Sequence, residues 1–472
     1  MFRLGKFRIV GLLLCALATP GFAAITAESE SNNTESSADG PVGPASAVTG
    51  SMSTRRDIDW FYFDLSAAGV IDISLSHATG RDFDWALYAS SGAAVATGAS
   101  SANPQTGSYS AGAAGRYYLK LTAYSGSGAY SLDVSYAGGT PPPPPPPTSC
   151  GSGARPATPS GLQTWIVGNA ANSTRNPING PAMLLMGGNF EVDAAFTKRA
   201  FPVANGGDVV VIRTAGSSGY NDYLYNLTSG TLKPDSVETL LVDTRAKADS
   251  ALVEWALCNA ELIFMAGGDQ SAYLNAWKDS RVQSAMRVAY ERGAVIGGLS
   301  AGLAVQGQYI YDPDGVTAVT SAEALANPYR SGMLFSTGFL DLPLMQGVIT
   351  DTHFGERDRM GRLLAFMARL RQDGTAASIV GIGVDEDTSM FIDRNRVGYV
   401  DGTGSAYVLH EDANTQRTQV VSGQPLIYRN LQRTKLIGGQ RYSFADRSHT
   451  GTRITLSADA RNTPALSPAN PY

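Results

Sequence analysis

The sequence predicts two folded units of different class. A small antiparallel β-sandwich comes first, followed by a larger α/β unit with a doubly wound, mostly parallel sheet. Three observations lead there. The chain has 472 residues, too long for one compact core, because domains usually run about 100–200 residues. Seven consecutive prolines fill 141–147. On either side of them the apolar pattern differs, alternating before and continuous after. With 43% hydrophobic and 16% charged residues, most of the chain has the composition of folded protein. The formal net charge of −5 argues against nucleic acid as a partner.

The first segment reads as an address. Arg3, Lys6 and Arg8 precede an apolar run from Ile9 to Ala18, then Pro20 and the small pair Ala23-Ala24. Basic, apolar and small-residue regions in that order mark a secretory signal over 1–24. The apolar run is too short for a bilayer, which needs about 20 residues. No later stretch is long and apolar enough, so no membrane insertion is expected. Cys15 lacks the small residues that a lipid-attachment cysteine would want before it. The mature chain is expected to be secreted, either periplasmic or extracellular. In such an oxidising compartment Cys150 and Cys258 can pair; two free thiols are the alternative.

Residues 25–139 carry short alternating runs: Asp59-Trp-Phe-Tyr-Phe-Asp64, Val70-Ile-Asp-Ile-Ser-Leu75, Tyr117-Tyr-Leu-Lys-Leu121 and Tyr130-Ser-Leu-Asp-Val-Ser-Tyr136. Such runs, punctuated by Gly, Ser and Asn, predict the β-sandwich. From Ala24 to Thr140 there are 11 acidic and 5 basic residues. Asp57, Asp59, Asp82 and Asp84 are candidates for calcium, against the commoner reading of solvated loop carboxylates. Asp59-Trp-Phe-Tyr-Phe, Asp82-Phe-Asp-Trp-Ala-Leu-Tyr, Gly115-Arg-Tyr-Tyr-Leu and Tyr124-Ser-Gly-Ser-Gly-Ala-Tyr resemble the bacterial pre-peptidase C-terminal domain. That resemblance implies a non-catalytic spacer or binding module. The linker over 140–155 follows. Its prolines are expected to form a polyproline II rod of about 3.1 Å per residue, roughly 20 Å in all.

The α/β unit is expected over 156–460. Ala182–Met186, Asp208–Arg213, Glu261–Met265, Ala294–Gly297, Gly347–Thr350 and Ser378–Val384 are short continuous apolar runs. Strands of this kind belong to a sheet covered on both faces. Helical stretches lie between them at about 191–201, 246–259, 281–292 and 359–372. In a doubly wound sheet, ligands sit at the carboxyl ends of the strands.

Four motifs follow such strand ends. Gly298-Leu-Ser-Ala-Gly302 fits GxSxG, a tight strand-to-helix turn that lifts the Ser300 hydroxyl clear of the backbone. The N–H of Ala301, with that of Gly267 or Gly268 in Met265-Ala-Gly-Gly-Asp-Gln270, would form an oxyanion hole. A serine needs a base. The sequence has four histidines, and His353, directly after a predicted strand, is favoured over His410 and His449. A carboxylate must fix the imidazole tautomer; Glu386 is chosen, with Asp385 and Asp387 as rivals. Arg357, Arg359 and Arg362 open a predicted helix, and their guanidiniums suit a carboxylate-bearing substrate.

Taken together, Gly267-Gly-Asp-Gln270, Gly298-Leu-Ser-Ala-Gly302, Asp351-Thr-His-Phe354 with Arg357, Arg359 and Gly361-Arg-Leu363, and Gly383-Val-Asp-Glu-Asp-Thr388 resemble the cyanophycinase family. It is a serine peptidase family that includes aspartyl dipeptidase. Its fold is similar to that of class I glutamine amidotransferases, which carry cysteine where this chain has Ser300. The resemblance implies a triad of Ser300, His353 and Glu386, with no metal and no organic cofactor. It assigns Asp269, Gln270, Asp351, Thr352, Arg357, Arg359 and Arg362 to the substrate side. The implied substrate is cyanophycin, a polyaspartate with arginine on each side chain, degraded to β-Asp-Arg dipeptides through an acyl-enzyme.

Two positions depart from the family pattern. Thr352 replaces a glutamine, and Leu299 replaces a small polar residue. The first favours the alternative of an aspartyl dipeptidase or another acidic-peptide hydrolase. A reading from a different class is a non-catalytic polymer-binding secreted protein. A homodimer is compatible with the sequence. The tail over 461–472 is expected to be flexible and has no assigned role.

Overall fold

The computed structural model describes residues 25–43, 46–65, 68–89, 94–113, 115–136 and 153–472. The signal segment, the seven prolines, Cys15 and Cys150 lie outside the described residues. The chain divides into two compact units, Met1–Pro142 and Pro143–Tyr472.

Among the described residues, the first unit holds two four-stranded antiparallel sheets. One runs Ser46–Met52, Gly128–Tyr136, Gly69–His77, Gln105–Ala111. The other runs Ile58–Leu65, Gly115–Ser125, Asp82–Ala89, Ala94–Gly98. The two-residue period of a strand sends Phe61, Phe63 and Leu65 inward, onto Ile71, Ile73, Leu119 and Leu132. Asp59 shares that inward face and is fully buried. It accepts a 2.6 Å hydrogen bond from the Tyr130 hydroxyl, and burial pushes its carboxyl up to about 8. Asp57 and Asp59 stand with Glu30, their oxygens within 4.8 Å of one another; Asp82 and Asp84 do not join this group.

The second unit is α/β, with two mixed sheets instead of the single sheet expected. Five strands of the first sheet are parallel, in the order Ala182–Met186, Val295–Leu299, Leu262–Met265, Asp208–Arg213, Ser236–Leu241. Successive residues feed opposite faces. Met183, Leu185, Val210 and Ile263 pack with the helices Ala251–Asn259 and Arg281–Glu291. Leu184, Met186, Val211 and Phe264 pack with Phe196, Phe201 and Leu224 on the other side. Both helices start on serine caps, Ser250 and Ser280, whose hydroxyls accept first-turn N–H groups.

Val348–Asp351 and Val380–Val384, expected in the same sheet, pair with each other in the second one. The reason is occupancy of an edge. Thr388–Ile392 pairs antiparallel with Ala182–Met186 and takes the position a further parallel strand would need. Val380–Val384 instead meets Ser405–His410, which continues antiparallel to Ile427–Ile437 and Thr452–Asp459.

The tail also departs from expectation. Leu466–Ser467 pairs with Thr452–Asp459, and the Tyr472 ring packs at 6.0 Å from Phe354 and 5.8 Å from Tyr407. Aromatic burial holds a segment whose composition alone reads as mobile. Cys258 is buried and disulfide-bonded. No helix among the described residues is long and apolar enough to cross a membrane.

Candidate active site

Ser300 follows the central strand Val295–Leu299 and precedes the short helix Ala301–Ala304. Its backbone sits at φ 52°, ψ −113°, a strained conformation of the sort that costs on the order of 1–3 kcal/mol and holds only where the surroundings enforce it. Those surroundings are close-packed. A Cβ on Gly302 would lie 2.0 Å from the Met265 carbonyl oxygen of the neighbouring strand. The Ser300 N–H is fixed by the Met186 carbonyl at 2.9 Å. The glycines of GxSxG are therefore what let the turn press against two strand ends.

His353 comes from the second sheet, two residues past the strand Val348–Asp351. Its Nε2 lies 2.8 Å from Ser300 Oγ, and its Nδ1 lies 2.5 Å from Glu386 Oε1. Glu386 follows Val380–Val384, so the two parallel strands of that sheet present the imidazole and the carboxylate side by side. The rival carboxylates face elsewhere. Asp385 accepts from the N–H groups of Gly355 and Ser405 at 2.8 and 3.0 Å, and Asp387 from the Asn189 amide and the Phe190 N–H. Burial holds the imidazole below its ordinary value. The Glu386 hydrogen bond opposes that shift, while Arg357 and Arg359 add to it. A neutral imidazole bonded to a hydroxyl can take its proton.

The backbone around the triad comes from residues the sequence reading passed over. The His353 N–H donates to the Gly187 carbonyl at 2.9 Å, and the Asp387 N–H to the Gly188 carbonyl at 3.0 Å. Both glycines follow the strand Ala182–Met186. The signal that flagged Gly267-Gly268, two glycines after an apolar strand, was present here as well.

A cavity of about 520 Å³ opens beside Ser300 and His353, lined also by Gly268, Gln270, Tyr311 and Arg357. Gly267 lies against the serine, where an added Cβ would be 3.9 Å from Ser300 Cβ. Ala301 is the residue next to Ser300 and is buried. Asp269 caps the helix Gln270–Trp277 through the Ser271 N–H. Gln270 reaches the Tyr311 carbonyl at 3.4 Å.

The arginines do not act alike. Arg362 is 5% exposed and holds Asp351 with two bonds, Nε to Oδ2 at 2.8 Å and Nη2 to Oδ1 at 2.7 Å. Arg359 donates to Asp351, to the Thr352 carbonyl and to Thr352 Oγ1 at 3.3, 2.9 and 3.0 Å. All three arginines line the cavity, and Arg357 differs in that, among the described residues, its guanidinium has no ion-pair partner.

A hydroxyl, an imidazole and a carboxylate linked in that order, at strand ends of an α/β unit, fit the class of serine-type peptidases, and comparison with known proteins places the chain in that class. It belongs to Peptidase family S51, whose profile matches residues 183–399. Cyanophycinase from Nostoc sp. is 32% identical over 227 residues, covering 48% of this chain and 68% of that one. The cyanophycinase of Trichormus variabilis gives the same values. The crystal structure of a peptidase from an acI-B1 Actinobacterium covers 56% of this chain and 97% of its own, at 15% identity and TM-score 0.38. The Bacterial pre-peptidase C-terminal domain matches residues 57–123.

Proposed function

We propose that this protein is an exported serine exopeptidase that hydrolyses cyanophycin or a closely related aspartyl peptide through an acyl-enzyme. The observation that carries the proposal is the continuous chain from Ser300 Oγ through His353 to Glu386, at 2.8 and 2.5 Å. His353 takes the hydroxyl proton as Ser300 attacks the scissile carbonyl. The N–H groups of Ala301 and of Gly267 or Gly268 receive the developing oxyanion. His353 then protonates the leaving amine, and water, activated by the same imidazole, releases the acyl group. Glu386 fixes the tautomer and stabilises the imidazolium.

Arg357 is the carboxylate anchor on this reading, since Arg359 and Arg362 are engaged by Asp351 and Thr352. Gln270 and Asp269 line the same cavity. Thr352, whose hydroxyl accepts from Arg359 at 3.0 Å, favours a second reading, a hydrolase of short aspartyl peptides. The doubly wound arrangement, the first unit's limits 25–139, a second unit that starts at 156 and takes in the packed tail, and export guided by residues 1–24 belong to the same proposal, and the pre-peptidase C-terminal match supports an accessory role for the first unit.

A turbid suspension of cyanophycin tests it. Clearing with release of β-Asp-Arg supports the first reading. Action confined to short α-aspartyl peptides supports the second. A wild-type protein inert on both, or a Ser300→Ala variant as active as wild type, rejects the assignment.

A further inference from the structure

The turn that carries the imidazole is held by a side chain more than a hundred residues away. Helix Met360–Gln372 starts without a side-chain cap from its own Ncap residue, Arg359. The first N–H groups of a helix have no partner within it. Here the Met360 N–H donates to the Tyr472 hydroxyl oxygen at 3.0 Å, and the same hydroxyl donates to Asp358 Oδ1 at 2.8 Å. Asp358 itself sits at φ 47°, in the left-handed region that a non-glycine residue adopts at a cost. The Tyr472 ring rests on Phe354 and Tyr407. Phe354, the residue after His353, is fully buried.

Between those two anchors lie only Gly355, Glu356 and Arg357. The Arg357 N–H closes the turn on the His353 carbonyl at 3.1 Å, and the Arg359 N–H bonds the Phe354 carbonyl at 2.9 Å. We propose that Tyr472 is a positioning residue for catalysis, a cap supplied from a distant part of the same chain that fixes the 353–359 turn and so sets His353 against Ser300 and aims Arg357 into the cavity. The physical basis is that a turn with positive φ at both His353 and Asp358 keeps its shape only while its surroundings enforce it. Loss of one hydroxyl removes both a helix cap and the partner of Asp358, and leaves the ring contacts in place. The inference rests on the triad reading for its consequence in catalysis, but not for its structural part.

The Tyr472→Phe variant of the full chain tests both parts. Amide hydrogen exchange across residues 353–362 is expected to rise about tenfold, the loss of one hydrogen bond's protection. Strands Leu262–Met265 and Val295–Leu299 should keep wild-type exchange, and the melting temperature should hold. With a trimer of β-aspartyl-arginine as probe, kcat should fall about tenfold. Exchange that matches wild type, or that rises uniformly over the unit, overturns the proposal. So does a local rise with unchanged kcat. If wild type itself fails to cleave the probe, the triad reading falls, and the exchange data still decide whether Tyr472 holds the turn.

Discussion

Gly188 and His353 occupy the same space up to a single carbon. A Cβ placed on Gly188, whose φ is 139°, would lie 2.2 Å from the imidazole Cε1 and 2.5 Å from Nε2. The imidazole therefore reaches Ser300 across bare backbone, and any side chain at 188 would push it off. Replacing Gly188 by alanine should cost about 10²-fold or more in kcat, the penalty of misplacing a reacting group by about an ångström. The check is kcat together with a crystal structure of the variant. A full-rate G188A enzyme would show that the ring does not need this position.

Two adjacent carboxylates can be ranked by substitution. Glu386→Gln should lower kcat by about 10⁴-fold, because a neutral amide no longer holds the imidazole tautomer. Asp387→Asn should cost less than about tenfold, since among the described residues its carboxylate bonds only Asn189 and Phe190. Steady-state kinetics on the two variants decide between them, and a larger loss at Asp387 would reverse the assignment.

The pH profile has a definite sign. The imidazole works as a base only when neutral, and burial holds it below its ordinary value of 6.5. The rate kcat/KM should accordingly rise with pH and reach half-maximum below 6.5. The Glu386 hydrogen bond raises the imidazole, so Glu386→Gln should move the inflection further down. An inflection above 6.5 in wild type would contradict the environment described for His353.

Arg362 and Arg357 should fail in different ways. Replacing Arg362 by Met takes from the Asp351 carboxylate, which is 4% exposed, its two-bond partner and leaves it the Arg359 contact at 3.3 Å; breaking a buried pair outright costs about 3–5 kcal/mol, so the loss should stay below that and lower the melting temperature by a few degrees. Arg357→Ala should leave melting unchanged and raise KM for a carboxylate-bearing substrate by roughly 10–100-fold, the worth of one charge-assisted contact. Calorimetry and kinetics on the pair separate support of the fold from contact with substrate.

Much of the α/β unit was legible because its strands are short, continuous and apolar, and because each motif sits where such a strand stops. Strands 182–186, 208–213 and 295–299 and the helix 281–291 follow directly from that pattern. The strands Thr388–Ile392, Ser405–His410 and Ile427–Ile437 did not stand out, because the first two offer apolar runs of only three and four residues and Arg, Asn, Gln, Thr and Lys interrupt the third, and it is pairing with neighbours that makes them strands. That omission is why one sheet was expected where there are two. Similarly, three arginines in six residues read as one cluster, whereas Asp351 pairs with Arg359 and Arg362 and not with Arg357.

The linear chain by itself specified the chemical types: a serine in a glycine-flanked turn, a scarce histidine after a strand, an acidic triplet after another, and a proline run between two patterns. Which carboxylate meets the ring, which guanidinium is left without an ion pair, and that Gly188 borders the imidazole while Tyr472 caps the helix after it were decided only by the tertiary structure. Chemical identity is a property of one residue, but contact between residues 188 and 353, or 360 and 472, is set by how separate strands pack, and packing leaves no local mark on the sequence.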